Sequence, residues 1–106
     1  MNAAEVFAQM PEAFLAEKAG VLQATFQFNL SGEGGGDWAV VIDKGTCRVV
    51  EGVAAKPDVT VGMAAEDYMK MTTGQLQPVV AFMQGKIKLQ GDMNLAMKVQ
   101  ELFSRE

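Results

Sequence analysis

The sequence contains no histidine and only one cysteine, Cys47. Without histidine, Ser-His-Asp and Cys-His catalysis, haem attachment and most zinc sites are excluded. One cysteine permits no internal disulfide, so a reduced, cytoplasmic protein is expected. We therefore expect no metal, no cofactor and no enzymatic activity of the chain's own.

Long apolar runs and an excess of basic residues are also missing. The longest apolar runs, Ala39–Ile42 and Val79–Met83, fall far short of the ~18 residues that a membrane-spanning helix needs. Residues 1–7 have no basic region followed by an apolar core, so no secretory signal is predicted. A net charge of −4 argues against a nucleic-acid partner, because a phosphate-neutralising surface needs more Lys and Arg than acids.

The composition that remains is that of an ordinary globular domain. Of the 106 residues, 49% are apolar and 21% are charged, which excludes a disordered chain. This length predicts one domain over residues 1–106, large enough to bury roughly two thirds of its unfolded surface.

Alternation with a period of two predicts three successive strands. In the first, the even positions are apolar and the odd positions from Gln23 to Ser31 are polar, so one face is expected to be buried. A glycine-rich turn then leads to a second strand around Trp38–Ile42. Lys44-Gly45 marks a tight turn before a third strand, Thr46–Val50. Short turns between these strands predict an antiparallel meander.

The remaining segments alternate helix and strand. Pro57 opens a fourth strand with Val59, Val61 and Met63 on one face, since proline is tolerated at a strand start. Helices are predicted over residues 2–20, 64–73, 78–83 and 93–103, with Pro11 either kinking the first helix or starting another. A fifth strand, Lys86–Gln90, lies between the last two helices. The order α-β-β-β-β-α-β-α indicates an α+β fold with helices on a sheet.

Two potential sites are rejected. The loop Gly32–Gly36 resembles a phosphate loop, but it leads from strand to strand, and Glu33 and Asp37 would repel phosphate. A flexible hairpin is favoured. The carboxylates stand at turns, caps or polar strand positions, where solvation or capping explains them better than acid–base or metal chemistry.

Methionine is the unusual residue, with eight copies against one tryptophan and one tyrosine. Flexible thioethers pack irregular cores, and they also suit surfaces or interiors that change shape. Most of the methionines fall on predicted helices that would cover one sheet face. The residues leave two readings open: plain core packing, or an adaptable interior for an apolar guest. The methionines after Met1 are Met10, Met63, Met69, Met71, Met83, Met93 and Met97.

Several motifs together resemble the sterol carrier protein 2 (non-specific lipid-transfer) domain family. They are Phe26–Gly32, Trp38, Pro57–Val61, Ala81–Met93 and Leu95–Lys98, which follow in the family's order within about Val6 to Phe103. The resemblance implies a five-stranded, mostly antiparallel sheet covered by helices. It also implies an apolar tunnel between sheet and helices that accepts fatty acids, acyl-CoA, sterols or phospholipids.

By that likeness, side chains from the helices and from the buried face of the sheet would contact the lipid. The predicted lipid-binding residues are Phe26, Phe28, Trp38, Val40, Met69, Phe82, Met83, Met93 and Met97. No fused thiolase or dehydrogenase domain and no terminal Ser-Lys-Leu signal is present, so a free-standing, bacterial-type member is expected. For such a member, a fatty acyl chain or phospholipid is a better ligand than a sterol.

The expected function is therefore non-catalytic lipid carriage, with transient membrane contact through an apolar face of the last helix. Lys86, Lys88 or Lys98 would contact a headgroup, or would merely be solvated. One alternative is a protein-interaction or self-association module with a filled core. Another is an accessory domain that presents lipid to a separate enzyme. Monomer and dimer both stay open.

Overall fold

Five strands and five helices make up the computed structural model, which describes residues 2–98 and 102. Three strands follow the N-terminal helices, and the last two strands alternate with short helices. The elements are α1 (Ala3–Ala13), α2 (Ala16–Ala19), β1 (Gln23–Ser31), β2 (Gly36–Asp43), β3 (Thr46–Glu51), β4 (Val59–Ala64), α3 (Ala65–Thr72), α4 (Pro78–Met83), β5 (Ile87–Gly91) and α5 (Met93–Lys98).

The strands form one sheet in the order β3-β2-β1-β4-β5. Strands β1, β2 and β3 form the antiparallel meander that the turn signals predict. Strand β4 returns to pair with β1 in parallel, and β5 pairs with β4 antiparallel. The predicted α+β fold with a mostly antiparallel sheet is confirmed, and its one parallel pair lies at the centre.

One face of this sheet is apolar across its strands. Phe28 of β1 lies between Trp38 of β2 and Val61 of β4, and Val61 faces Leu89 of β5. Phe28, Trp38 and Val61 are buried because α1 and α3 pack over them, and Leu89 is partly buried. The hydrophobic core therefore lies between this face and the helices.

The opposite face departs from the prediction at Gln27. Its odd position in β1 predicts a solvated side chain, yet only 1% of it is exposed. Its amide nitrogen donates to the Gly52 carbonyl at 3.0 Å, and its amide oxygen accepts from the Ala54 backbone at 2.8 Å. The loop after β3 thus crosses this face and encloses a polar side chain whose hydrogen bonds are satisfied.

The N-terminal helices show that no new helix starts at Pro11, which was one of the two predicted alternatives. Asn2 caps α1 by accepting from the Glu5 amide at 2.9 Å, as its position predicts. Pro11 lies inside the last turn of α1, and the second helix begins only at Ala16.

The last helix starts where its cap predicts. Asp92 accepts from the backbone amides of Asn94 at 2.9 Å and Leu95 at 3.3 Å. Of the predicted continuation to Phe103, residues 99–101 and 103 lie outside the described residues. Leu102 is buried, and its carbonyl accepts from the Leu15 amide at 2.7 Å. No helix in the described part of the chain is both long and apolar enough to cross a membrane.

Candidate functional site

A cluster of four aromatic rings fills the space between α1, α3 and the sheet. Phe7 of α1 is stacked between Trp38 and Tyr68, with centroid distances of 4.7 and 5.3 Å. Phe28 meets Phe7 in a tilted arrangement at 5.3 Å and Tyr68 at 6.1 Å. All four side chains are buried. Offset and tilted ring pairs of this kind stabilise the folded state by more than the burial of their apolar area alone. The cluster therefore contributes strongly to the stability of the interior.

The predicted site residues on the sheet all lie on this apolar face. Phe26 and Val40 face each other across β1 and β2 and are fully buried. Phe28 and Trp38 form the next pair and belong to the aromatic cluster. Met69 of α3 is partly buried and packs against the core. These five residues therefore surround one apolar interior.

The four predicted residues on the last two helices lie elsewhere. Phe82 and Met83 of α4, and Met93 and Met97 of α5, are between 43% and 80% exposed. Helix α4 buries only Ala81, and the one buried residue of α5 is Ala96. The structure thus separates the nine predicted residues into five around the interior and four on the outer surface of two short helices.

A shallow cleft of about 230 Å³ leads from the surface to the aromatic cluster. It lies between α1 and β3, with Phe7 and Trp38 at its base and Glu51 at its rim. The cleft is small for a long acyl chain, since ligand pockets usually measure roughly 300–1,000 Å³. A long acyl chain therefore needs more space than this cleft provides.

Two residues of the cluster, Phe7 and Tyr68, were not among the predicted site residues. The spacing of Val6, Phe7, Met10 and Phe14 identified an apolar helix face, but it did not distinguish Phe7 from its neighbours. Tyr68 is the only tyrosine and stands in a helix that is otherwise largely polar and methionine-rich. Burial raises its pKa above the ordinary value, because the phenolate would lose its hydration.

Among residues 2–98 and 102, no three His, Cys, Asp or Glu side chains lie close enough to hold a metal ion. Cys47 of β3 is half-buried, and loss of hydration raises the pKa of its thiol to about 11. Such a thiol is protonated at neutral pH and is a poor nucleophile.

The sequence matches the model of the SCP-2 sterol transfer family over residues 4–104. The chain belongs to this family. That match covers all five strands and the aromatic cluster, and it confirms the family that the motifs around Phe26–Gly32 and Ala81–Met93 indicated.

Solved structures of this family share the fold. Sterol Carrier Protein 2 Like 2 from Aedes aegypti matches with a TM-score of 0.74 and 32% identity, covering 92% of this chain and 89% of that one. A solution structure of the palmitated form of the same mosquito protein also matches with a TM-score of 0.74. Its identity is 28%, and it covers 95% of this chain and 93% of the other.

Curated relatives carry the family's domain inside longer proteins. Hydroxysteroid dehydrogenase-like protein 2 from Rattus norvegicus is 38% identical over 101 residues, which are 94% of this chain and 19% of the relative. The chain therefore spans about a fifth of the length of the curated relatives that it matches.

Proposed function

We propose that this domain binds and carries a lipid with a long acyl chain, and that it has no catalytic activity of its own. One observation carries the proposal. A sheet face that is apolar across its strands is covered at one end by two short helices, α4 and α5, each with a single buried residue among those described. Phe82 and Met83 of α4 and Met93 and Met97 of α5 are between 43% and 80% exposed, so much of their apolar surface is not yet buried.

The guest would lie between this sheet face and the helices. Phe26, Phe28, Trp38 and Val40 would form one wall, with Met69 at the side. Phe82, Met83, Met93 and Met97 would turn inward to cover the chain. Unbranched methionine side chains can make that change at little cost, because three rotatable bonds adapt to irregular apolar shapes.

Apolar contact is sufficient to hold such a guest. Each buried methylene contributes roughly 0.8 kcal/mol, so an acyl chain needs little polar chemistry in the protein. A relative of the same fold has been solved with palmitate attached, which supports an acyl chain as the guest. A fatty acid, an acyl-CoA or a phospholipid meets this requirement.

A second candidate, supported by the comparisons, is an accessory domain. The curated relatives hold a region like this chain within a protein about five times as long, whose name denotes a dehydrogenase-like protein. In that arrangement the domain would present a lipid to a separate catalytic domain. Both candidates need the same lipid site. A cytoplasmic location, and the choice between monomer and dimer, stay predictions from the sequence.

Native mass spectrometry of gently purified protein tests lipid binding directly. We expect a one-to-one adduct of lipid mass, or its formation when palmitate or palmitoyl-CoA is added to delipidated protein. A bare chain under both conditions would contradict the proposal and favour an interaction module whose interior is filled by the aromatic cluster.

Fluorescence of Trp38, the only tryptophan, tests where the guest lies. Titration with a fatty acid should change its emission, because the ring would exchange contact with Phe7 for contact with the acyl chain. Unchanged emission in a sample that binds lipid by mass would move the guest away from the sheet. The variant Arg48→Ala, on the exposed face of β3, is a matched control that should bind lipid like the unaltered protein.

A further inference from the structure

Helix α4 exposes apolar side chains in several directions. Val79, Val80, Phe82 and Met83 are all exposed, and only Ala81 is buried. Soluble proteins rarely expose adjacent large apolar side chains without a binding function. We use the name α4 patch for these four exposed residues.

The chain segment that contains the α4 patch carries a charge opposite in sign to that of the whole protein. Residues 68–91 contain three lysines, Lys70, Lys86 and Lys88, and no acidic residue, although the chain carries a net charge of −4. Lys70 lies 3.6 Å from Glu66, so its charge is partly neutralised. Among the described residues, Lys86 and Lys88 form no salt bridge. Two uncompensated positive charges therefore follow directly after the α4 patch.

Backbone hydrogen bonds fix the first of these lysines relative to α4. The Lys86 amide donates to the Ala81 carbonyl at 2.9 Å, and the Gly85 amide donates to the Phe82 carbonyl at 3.0 Å. With Gly85 at a φ of +76°, this is a Schellman motif, which ends the helix in one defined geometry. The backbone of Lys86 is thus fixed at the C-terminal end of α4.

The two lysines border a cleft of about 320 Å³ on the sheet face opposite the core. Asn29, Ser31 and Gly62 contribute to its lining. Gly62 pairs with Lys88, and a Cβ atom built on it would come no closer than 3.9 Å to any neighbour. Met63 and Ala64 also line the cleft, so the two lysines border a space that is largely apolar.

An anionic bilayer fits this combination better than a protein groove does. A groove recognises one stripe of a helix, whereas the interface of a bilayer accepts apolar side chains that project in several directions. Lysines beside them attract anionic headgroups. For a protein with net negative charge, this local positive charge also determines which side approaches the membrane.

We propose that α4 and the beginning of β5 dock onto the surface of an anionic bilayer. The bilayer meets the β5 edge of the sheet. The α4 patch enters the boundary between headgroups and acyl chains, and Lys86 and Lys88, which border the opposite sheet face, reach lipid phosphate at that edge. This site differs from the last helix, which the sequence favoured for membrane contact. Docking would allow the protein to exchange a bound lipid with the membrane, and that role rests on the proposed function. The docking itself does not depend on the proposed function.

Co-sedimentation with vesicles tests the proposal. The unaltered protein should bind vesicles of phosphatidylcholine with 30% phosphatidylglycerol and should bind pure phosphatidylcholine weakly. The double variant Lys86→Gln/Lys88→Gln should lose roughly tenfold to thirtyfold in affinity for the anionic vesicles. The control Lys18→Gln/Lys56→Gln removes two exposed lysines elsewhere and should change affinity less than about twofold. Equal losses in both variants would overturn the proposal.

A second pair of variants tests the apolar contribution of the α4 patch to vesicle binding. Phe82→Gln/Met83→Gln should abolish binding to anionic vesicles at 0.5 M salt, where screening leaves mainly the apolar contribution. The control Val21→Gln/Val53→Gln replaces two exposed valines away from α4 and should retain it. If Phe82→Gln/Met83→Gln instead converts a dimer into a monomer and vesicles are never bound, the α4 patch is a self-association surface and the proposal is wrong.

Binding of dissolved palmitate, measured without vesicles, separates this inference from the proposed function. Lys86→Gln/Lys88→Gln should keep the one-to-one palmitate adduct while it loses vesicle binding. A protein that binds palmitate but never vesicles overturns the docking alone. A protein that binds vesicles but never palmitate overturns the lipid-carrier proposal and leaves the docking intact.

Discussion

Phe7 stacks on Trp38 with their ring centroids 4.7 Å apart and their planes inclined by only 12°. The contact joins α1 to β2, and the same Phe7 ring stacks on Tyr68 of α3. One side chain near the start of the chain thus connects two helices to the sheet. Because the rings also form the base of the cleft between α1 and β3, any guest that enters there meets this stack first.

Replacement of Phe7 by alanine should strongly destabilise the fold. Its side chain is 1% exposed, so Phe7→Ala leaves a cavity and should lower the free energy of unfolding by about 3–5 kcal/mol. Urea denaturation followed by Trp38 fluorescence measures the change. Val21→Ala, at a side chain 85% exposed, is the control and should stay within about 0.5 kcal/mol. A loss below ~1 kcal/mol for Phe7→Ala would show that the rings are loosely packed.

Two methionines with opposite exposure should respond differently to alanine. Met63 of β4 is 6% exposed, and Met63→Ala should cost about 2–5 kcal/mol of unfolding free energy. Met83 is 80% exposed, so Met83→Ala should stay within about 0.5 kcal/mol yet weaken palmitate binding. Chemical denaturation and a palmitate titration give the two quantities. A large stability loss at Met83 would place its side chain in a solid core.

Cys47 should react slowly and make stability depend on alkaline pH. Burial raises the pKa of its thiol to about 11 in the folded state, above roughly 8.5 in an unfolded chain. The folded state therefore holds the proton more tightly. This contribution is fully present below pH ~8.5 and is lost as the pH rises through 11.

Urea unfolding at pH 7.5, 9 and 10.5 tests this sign. The unaltered protein should lose more stability across that range than Cys47→Ala does, and alkylation of the native thiol at pH 8 should be slower than in urea. Parallel pH profiles for the two proteins would mean that Cys47 is solvated like an unfolded thiol.

Gly91 is expected to tolerate no side chain. Its φ is +104°, and a Cβ atom would collide with the backbone oxygen of Asp58, which accepts from the Asp92 amide at 3.0 Å. Gly91→Ala should cost at least about 2 kcal/mol of stability, since strain and displaced backbone add together. Gly45→Ala shares a positive φ, +90°, but meets no atom within 4 Å, and should cost only roughly 1 kcal/mol. Thermal unfolding of the two variants compares them; equal losses would remove the collision as the cause.

The sequence predicts the helices and strands better than it predicts which segments pack over them. Alternation in β1 identifies Phe26 and Phe28 as core residues, and Asn2 and Asp92 identify two helix starts, because these signals act between residues close in the chain. Alternation predicts a solvated side chain for Gln27, since it cannot reveal that the loop at residues 52–54 crosses the outer face.

The same limit applies to the candidate site. Parity places Trp38 and Val40 on the buried face correctly, because a strand has only two faces. The six residues of α4 show no such periodicity, so whether Phe82 and Met83 point inward or outward depends on tertiary packing alone. The stack of Phe7 between Trp38 and Tyr68 joins three segments that are distant in sequence, so no local pattern predicts it.

The central parallel pair of β1 and β4 has a consequence for the order of folding. Strands β1 to β3 pair with their neighbours in sequence across short turns. Strand β4 pairs with β1, from which it is separated in sequence by the rest of the meander. Closing that longer loop costs entropy before any contact is gained. We therefore expect two kinetic units, a meander that forms early and a β4–β5 unit that joins it late, so that the half bearing α4 is also the first to open.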